Sequence, residues 1–468
     1  MLRGLSGPSL TGLCCRAMVQ VPPLKGAVEE RAIDRALSRA LADDREGALR
    51  IAAALLEDEP LSAFNTFVTA WLLGGLGRKE ELEVGLRASL ERAVFDGNLP
   101  LAIAAYAQLR DADLVADEGL ESMATAFAKG ASRISDKRGA PPQMASAAKE
   151  PAPLDEKLKG DELLERAAAV VRAAKAAQDE ASLSAVAAQV LPQVLFSALD
   201  PASFKATVAV FDVRFVPAEQ ALVEEGSVGN EAFIVARGEL DVSKQATTPG
   251  GAALALARLG NGALFGEMAL LSSAPRTATV TACRPSVVLV GSKAALDRVA
   301  AKAPEVGRVF AEFCRRRMLD NLVRTNFILK SASPSERPAL IERFTIKQFN
   351  PGERIVAQGS PPDGLHIVAL GEVSIVLNDG KDTTLVARLG PGEVVGEVAL
   401  ILRRPAITDV VAHHPTVTLF LQRDRFLGLA RAHPKVFVEL YELAVHRDQE
   451  TATAASADAA ETEDFVLV

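Results

Sequence analysis

The order of apolar and polar positions changes character twice along the chain. From about Val28 to Lys129 apolar residues recur at spacings of three and four, through Ala48, Ile51, Ala52 and Leu55 and again through Leu101, Ala104, Ala105 and Leu109. That is the period of helices with one buried face. Pro60, the glycines from Gly74 to Gly77, and Gly97 to Pro100 cut the region into short antiparallel helices. Between Gly130 and Pro153 the chain turns to Ala, Pro, Ser and Lys, with Pro141, Pro142, Pro151 and Pro153, and reads as a linker. A single helix is predicted from about Asp161 to Val190, its stripe of Leu164, Ala168, Val171 and Ala174 packing against the region C-terminal to it. The period then drops to two, in Val208 to Phe215, Ala232 to Val242, Ala253 to Arg258 and Thr277 to Val290, separated by Gly, Pro and Asn-rich turns. Short strands so spaced predict a β-sandwich or barrel.

The β region repeats. Gly226, Gly238, Leu259, Gly266, Glu267 and Pro275 are answered by Gly359, Gly371, Leu389, Gly396, Glu397 and Pro405. The offset is 133 residues before the Lys244 to Gly251 loop and 130 after it. A fixed offset with one indel in a hairpin loop is an internal duplication. The helical stretches Arg45 to Pro60 and Gly97 to Ala112 are loosely alike and resemble a tetratricopeptide-type array; an Ala-rich bundle of no special family fits the same pattern.

The expected fold class is therefore α+β and multidomain: an N-terminal α-helical, repeat-like bundle, then two jelly-roll-like β-rolls with flanking helices. The expected boundaries are a disordered lead-in (1–27), the helical domain (28–130), a linker (131–160), a helix (161–190), the first roll (191–326), the second roll (327–447) and a disordered acidic tail (448–468). The tail is polar from Asp448 to Asp464 and closes in Phe465, Val466, Leu467 and Val468. Translation from Met18 is an alternative reading of the lead-in.

Composition narrows the function. The formal net charge of 468 residues is -8, and the densest basic stretch is only Arg315 to Arg317, so nucleic acid is not an expected partner. The four cysteines, Cys14, Cys15, Cys283 and Cys314, have neither metal-ligand spacing nor a disulfide framework, and fit a reduced, cytoplasmic setting. Segment 1–21 is broken by Gly4, Gly7, Pro8 and Gly12, poor material for a secretory signal, and no apolar run reaches the ~18 residues that span a membrane. His366, His413, His414, His433 and His446 read as surface or loop histidines, with no metal expected. No phosphate loop, metal motif or nucleophile elbow is present, so no catalytic residues are expected.

One motif carries chemistry. In the first roll Phe265, Gly266, Glu267, Met268, Ala269, Leu270 and Leu271 lead through Ser272, Ser273 and Ala274 to Pro275, Arg276 and Thr277. A strand, a glycine, one turn of helix and an arginine on the next strand make an anion cage: the glycine admits close backbone approach and the helix turn offers free N–H groups. Arg276 can hold a phosphodiester through two parallel N–H bonds. Glu267 cannot serve phosphate, so its partner would be a hydroxyl donor such as a ribose 2'-OH. Ribose on one side and a singly charged phosphate on the other describe a cyclic mononucleotide.

These residues resemble the phosphate-binding cassette of the cyclic-nucleotide-binding domain, the β-roll of catabolite activator proteins, protein kinase A regulatory subunits and gated channels. The resemblance runs from about Val194 to Asn326 and from about Leu329 to Arg447, and takes in Phe215, Pro217, Glu225, Gly226, Phe233, Ile234 and Gly238, and then Phe349, Pro351, Gly352, Gly359, Ile367 and Gly371. It implies cyclic AMP or cyclic GMP as a regulatory ligand, with no other cofactor. Thr277 beside Arg276 fits either nucleotide, and cyclic AMP is the expected one. It also implies that Lys293 to Val323 closes over the base, with Phe310, Phe313 and Met318 as lid residues or as an apolar seam between rolls.

The second cassette departs from the pattern. Gly396, Glu397, Val398 and Ala399 repeat the turn, but Pro405 is followed by Ala406 where the arginine should stand, and weak or absent binding is expected. Arg403 and Arg404 belong to the cassette tip and would point to solvent; their likeness to a kinase pseudosubstrate is a coincidence of position. No helix-turn-helix follows the second roll. The linker near Ser132, Ile134, Lys137 and Arg138 lacks a paired-arginine inhibitor sequence, which argues against kinase inhibition. The expected function is a cyclic-nucleotide receptor that signals by rearranging helices to a protein partner of its N-terminal helical domain; the alternative is a helical-repeat adaptor whose rolls bind nothing.

Overall fold

The computed structural model describes residues 30–114, 116–135, 150–187, 189–193, 195–245, 253–271, 275–378 and 383–463. The expected lead-in, residues 136–149 of the expected 131–160 linker, cassette residues Ser272 to Ala274 and the terminal Phe465 to Val468 lie outside them. The chain forms two compact units: one runs to Leu270 and adds Ala278–Phe313, the other comprises Leu271–Thr277 and Cys314 onward.

The first unit begins with helices α1 (Ala32–Leu41), α2 (Arg45–Asp58), α3 (Ala63–Gly75), α4 (Lys79–Asp96), α5 (Leu99–Asp111), α6 (Asp117–Phe127) and α7 (Asp161–Ser184). Local chemistry sets their ends. Asp44, Ser62 and Asn98 accept from the backbone N–H of Gly47, Asn65 and Leu101, and Gly97 ends α4 in the left-handed conformation. Helix α7 packs backward, not forward as its stripe suggested: Gln178 Nε2 donates to Thr66 Oγ1 at 2.9 Å and Val171 lies against Gly85. It ends at Ser184, short of Val190, because its stripe runs out; Leu183 and Val186 are exposed. The described end of the expected linker is tied to the bundle, since Glu150 accepts from Ala32 N at 2.6 Å and Leu154 N donates to Arg50 O at 3.2 Å.

The first roll comprises α8 (Pro201–Val208), β1 (Asp212–Val216), β2 (Ala221–Val223), β3 (Glu231–Arg237), β4 (Leu240–Lys244), β5 (Leu254–Leu259), β6 (Leu264–Phe265), α9 (Met268–Leu271), β7 (Thr279–Ala282), β8 (Ser286–Ser292), α10 (Lys293–Lys302) and α11 (Pro304–Thr325). Its antiparallel sheets have the orders β1-β8-β3-β6 and β2-β7-β4-β5. Two expected single strands are pairs: Gly238, at φ +135°, lies so close to Ser286 that a Cβ would meet its Oγ at 2.0 Å, and Cys283 to Pro285 turn β7 into β8. Val208 belongs to α8, started by Pro201 and capped by Asp200, so the strand begins later than its apolar run.

Strands β3 and β8 are apolar at nearly every position because their sheet is covered on both faces. Phe233, Val235, Val288 and Val290 point into the roll, while Ala232, Ile234, Ala236, Val287 and Leu289 join one core with Phe67, Leu73, Ile103 and Phe127 of the helices. Helical bundle and first roll thus share a core. Trp71 stacks on Phe215, and Arg110 donates to the carbonyls of Ala209 and Phe211 and pairs with Asp212 at 2.7 Å. Asp34, 1% exposed at its side chain, pairs with Arg237 and, at 3.2 Å, with Arg284.

In the second unit come α12 (Phe327–Lys330), α13 (Arg337–Ile341), β9 (Thr345–Phe349), β10 (Arg354–Val356), β11 (Gly364–Leu370), β12 (Val373–Asn378), β13 (Thr383–Leu389), β14 (Val394–Val395), α14 (Glu397–Leu402), β15 (Asp409–Ala412), β16 (Thr416–Gln422), α15 (Arg423–Ala432) and α16 (Pro434–Glu463). The sheets, β9-β16-β11-β14 and β10-β15-β12-β13, repeat the strand order of the first roll. The tail expected to be disordered continues α16 through Glu463. Its alanines and glutamates are strong helix formers attached to a helix already nucleated, an advantage that an isolated tail of the same composition lacks.

Candidate functional site

Both cassettes are built on the same backbone device. Gly266 has φ +73° and Gly396 φ +83°, so each strand, β6 or β14, turns at once into a short helix. A Cβ on Gly396 would also lie 3.0 Å from the Gly364 carbonyl. Only glycine meets both demands.

In the first roll Phe265 is fixed by stacking on Phe233, 5.1 Å between centroids, across the β3–β6 pair. Glu267, Ala269 and Leu270 are buried, Gly266 and Met268 half-buried, and the turn closes through Ala269 N to Gly266 O and Leu270 N to Glu267 O. Phe265 to Ala269 therefore form one continuous piece. Arg276 and Thr277 stand in the approach to β7, not on the strand itself as expected, because ladder pairing begins at Thr279, opposite Ser243. Thr279 Oγ1 accepts from Glu225 N at 3.0 Å and anchors the end of that approach.

In the second roll the carboxylate lies against α16. Glu397, 2% exposed, receives Arg447 Nη1 of α16 at 2.7 Å on Oε1; the same guanidinium reaches the Val394 carbonyl and, through Nη2 at 2.8 Å, Glu393. Burial pushes the Glu397 carboxyl above the ordinary range, and Arg447 pulls it back. Arg404 pairs with Asp448, the next residue of α16, while Arg403 is exposed, so neither enters the cassette. Ala406 keeps its backbone place, exchanging bonds with the Gly359–Ser360 turn (Gly359 N to Ala406 O 2.7 Å, Ala406 N to Ser360 O 3.0 Å). Val398 and Ala399 ride the α14 turn, Ala399 buried. Sequence reading missed Arg447 and Asp448 because they lie far beyond the motif; the signal was a basic residue ending the apolar stripe of the last helix.

Two histidine readings change. His366 is not at the surface: it is 1% exposed on β11, with Nδ1 2.9 Å from Thr418 Oγ1 and its ring against Phe420, and burial pushes its pKa down to about 3. His413 and His414 are not scattered singletons but form a cluster with Glu372. Of the lid candidates, Phe310 and Met318 are buried and Phe313 packs on the first-unit core. No helix among the described residues is long and apolar enough to cross a membrane.

A family model described as cyclic nucleotide-binding domain matches residues 213–303 and 346–433. A cAMP-dependent protein kinase regulatory subunit of Colletotrichum orbiculare is 29% identical over 255 residues, 53% of this chain and 62% of that one. This chain thus spans less than two thirds of that relative. Among solved structures, the regulatory domain of Toxoplasma gondii PKA with cAMP is 27% identical, with TM-score 0.25, over 55% of this chain and 92% of that one. The Thermus thermophilus catabolite activator protein is 28% identical, with TM-score 0.26, over 28% and 60%.

Proposed function

The chain carries two cyclic nucleotide-binding domains, and from that premise we propose that it is a cyclic-nucleotide receptor whose first roll is the working site. The observation that carries this reading is the asymmetry of the cassettes. The first keeps Gly266, Glu267 and Arg276, whereas the second has Ala406 in place of the arginine. In the first, Arg276 holds the phosphodiester, Glu267 accepts from the ribose 2'-OH, and the N–H of Met268 faces the phosphate. Thr277 lies beside the base. Cyclic AMP is the inferred ligand over cyclic GMP, in keeping with the cAMP-dependent relative. The second roll is the closed partner of the pair.

The output is binding, not catalysis, and takes place in the cytoplasm. Phe265 stacks on Phe233, and the neighbours of Phe233 on β3, Ala232 and Ile234, enter the core shared with the helices. A ligand that favours one arrangement of the cassette over another thereby biases the helical domain, which presents the surface for a protein partner.

Calorimetric titration of the full chain with cyclic AMP and with cyclic GMP, beside Arg276→Ala, tests this. One saturable site per chain, lost in the variant, is the expected result. No heat and no thermal shift with either nucleotide would leave the adaptor-scaffold reading in its place.

A further inference from the structure

Away from both cassettes, at the end of the second roll where the β11–β12 and β15–β16 turns meet, Glu372, His413 and His414 bring their ligand atoms within 4.8 Å of one another. We propose that this corner binds a transition-metal dication of the zinc class, through two imidazole nitrogens and one carboxylate oxygen, with water in the remaining position.

The backbone holds the donors in place. His413 N donates to the Glu372 carbonyl at 2.8 Å, and Thr416 Oγ1 lies 3.1 Å from the same oxygen. Gly371, at φ +85°, passes so close to the other turn that a Cβ would meet the Pro415 carbonyl at 2.5 Å. The bonds from His413 N and Thr416 Oγ1 to the Glu372 carbonyl tie the two turns together. The imidazole rings stand 4.5 Å apart at 72°, and side-chain rotation must draw the ligand atoms closer than 4.8 Å to reach zinc–nitrogen bonds of about 2.0–2.1 Å. Two nitrogens and one oxygen suit zinc, nickel or copper better than magnesium or calcium, which ask for oxygen shells. The competing cation is Arg388, whose Nη1 is 3.8 Å from Glu372 Oε1 and would yield to the metal.

The first roll supplies an internal comparison. Its equivalent corner has Glu239, Cys283 and Arg284 with the same bond from Cys283 N to the Glu239 carbonyl at 2.8 Å. There Arg284 takes the place of His414, pairing with Glu239 at 3.3 Å and with Asp34 of α1. A guanidinium cannot ligate a metal, so that corner is closed by an ion pair to the helical bundle. The same backbone thus carries a docking contact in one roll and a ligand set in the other.

The test is zinc titration of the metal-stripped full chain by calorimetry, with cobalt(II) absorption as a second readout. It uses a Cys14→Ser, Cys15→Ser background so that those thiols do not compete. One zinc per chain, intense visible cobalt bands, and affinity lowered at least about tenfold by His414→Ala support the site. His446→Ala, on an exposed residue of α16, should leave it unchanged. His414→Arg, which restores the residue of the first roll, must also abolish binding, and does so without a cavity should the alanine variant misfold. Absence of saturable zinc binding in the parent, or undiminished binding in both His414 variants, overturns the proposal.

Discussion

Trp71 of α3 stacks on Phe215 of β1, with ring centroids 4.0 Å apart and planes within 16°. Since the chain has one tryptophan, its fluorescence reports on the junction between the helical bundle and the first roll alone. Phe215→Ala should shift the emission to the red and lower stability by about 1–3 kcal/mol, less than a fully buried aromatic because Phe215 is half-buried. Denaturation followed at the tryptophan and by circular dichroism checks both.

Asp34 is the carboxylate shared by Arg237 and Arg284 under α1. Asp34→Ala leaves two nearly buried guanidinium groups without it and should cost ~3–5 kcal/mol. Urea unfolding of the first unit would measure the loss, and an effect below ~1 kcal/mol would show water or Glu239 taking over.

Arg447→Ala should destabilise the second roll by a similar ~3–5 kcal/mol, because Glu397 stays buried without its counter-charge. Glu397→Gln combined with Arg447→Ala removes the stranded charge and should recover a large part of that loss. A double variant no better than the single one would mean that Arg447 acts through its bonds to Val394 and Glu393 instead.

His366 makes the second roll acid-sensitive. Its folded pKa, pushed down to about 3 by burial, lies below the ordinary value of 6.5. Between the two the unfolded chain binds the extra proton, so stability is full above pH 6.5 and falls as pH drops toward 3, by at most about 1.4 kcal/mol per pH unit. His366→Gln should flatten that slope in urea titrations at several pH values.

The duplicated rolls were legible because the constraint is local. Gly266 and Gly396 are dictated by backbone conformation, and such positions leave a mark at fixed spacing. The union of the helical bundle with the first roll left a weaker one. It lay in the unbroken apolar run Val287 to Val290, which records a sheet covered on both faces without naming the cover. Arg447 was illegible for another reason: an ion pair between distant segments imposes no spacing on either, and the position vacated by the arginine at Ala406 says nothing about where a replacement comes from. The terminal helix past Asp448 was misjudged because composition was weighed without the preceding turns that nucleate it.

The latch made by Arg447 and Asp448 also sets an order on biosynthesis. A nascent chain that has emerged only as far as α15 already holds Glu397, yet has nothing to neutralise it, whereas the helical bundle and first roll have all the residues of their shared core. The second roll can be sealed only by a helix made after all of its strands. A product cut or stalled before Arg447 would thus carry an open roll, which the cell's proteases can recognise as an unfinished molecule.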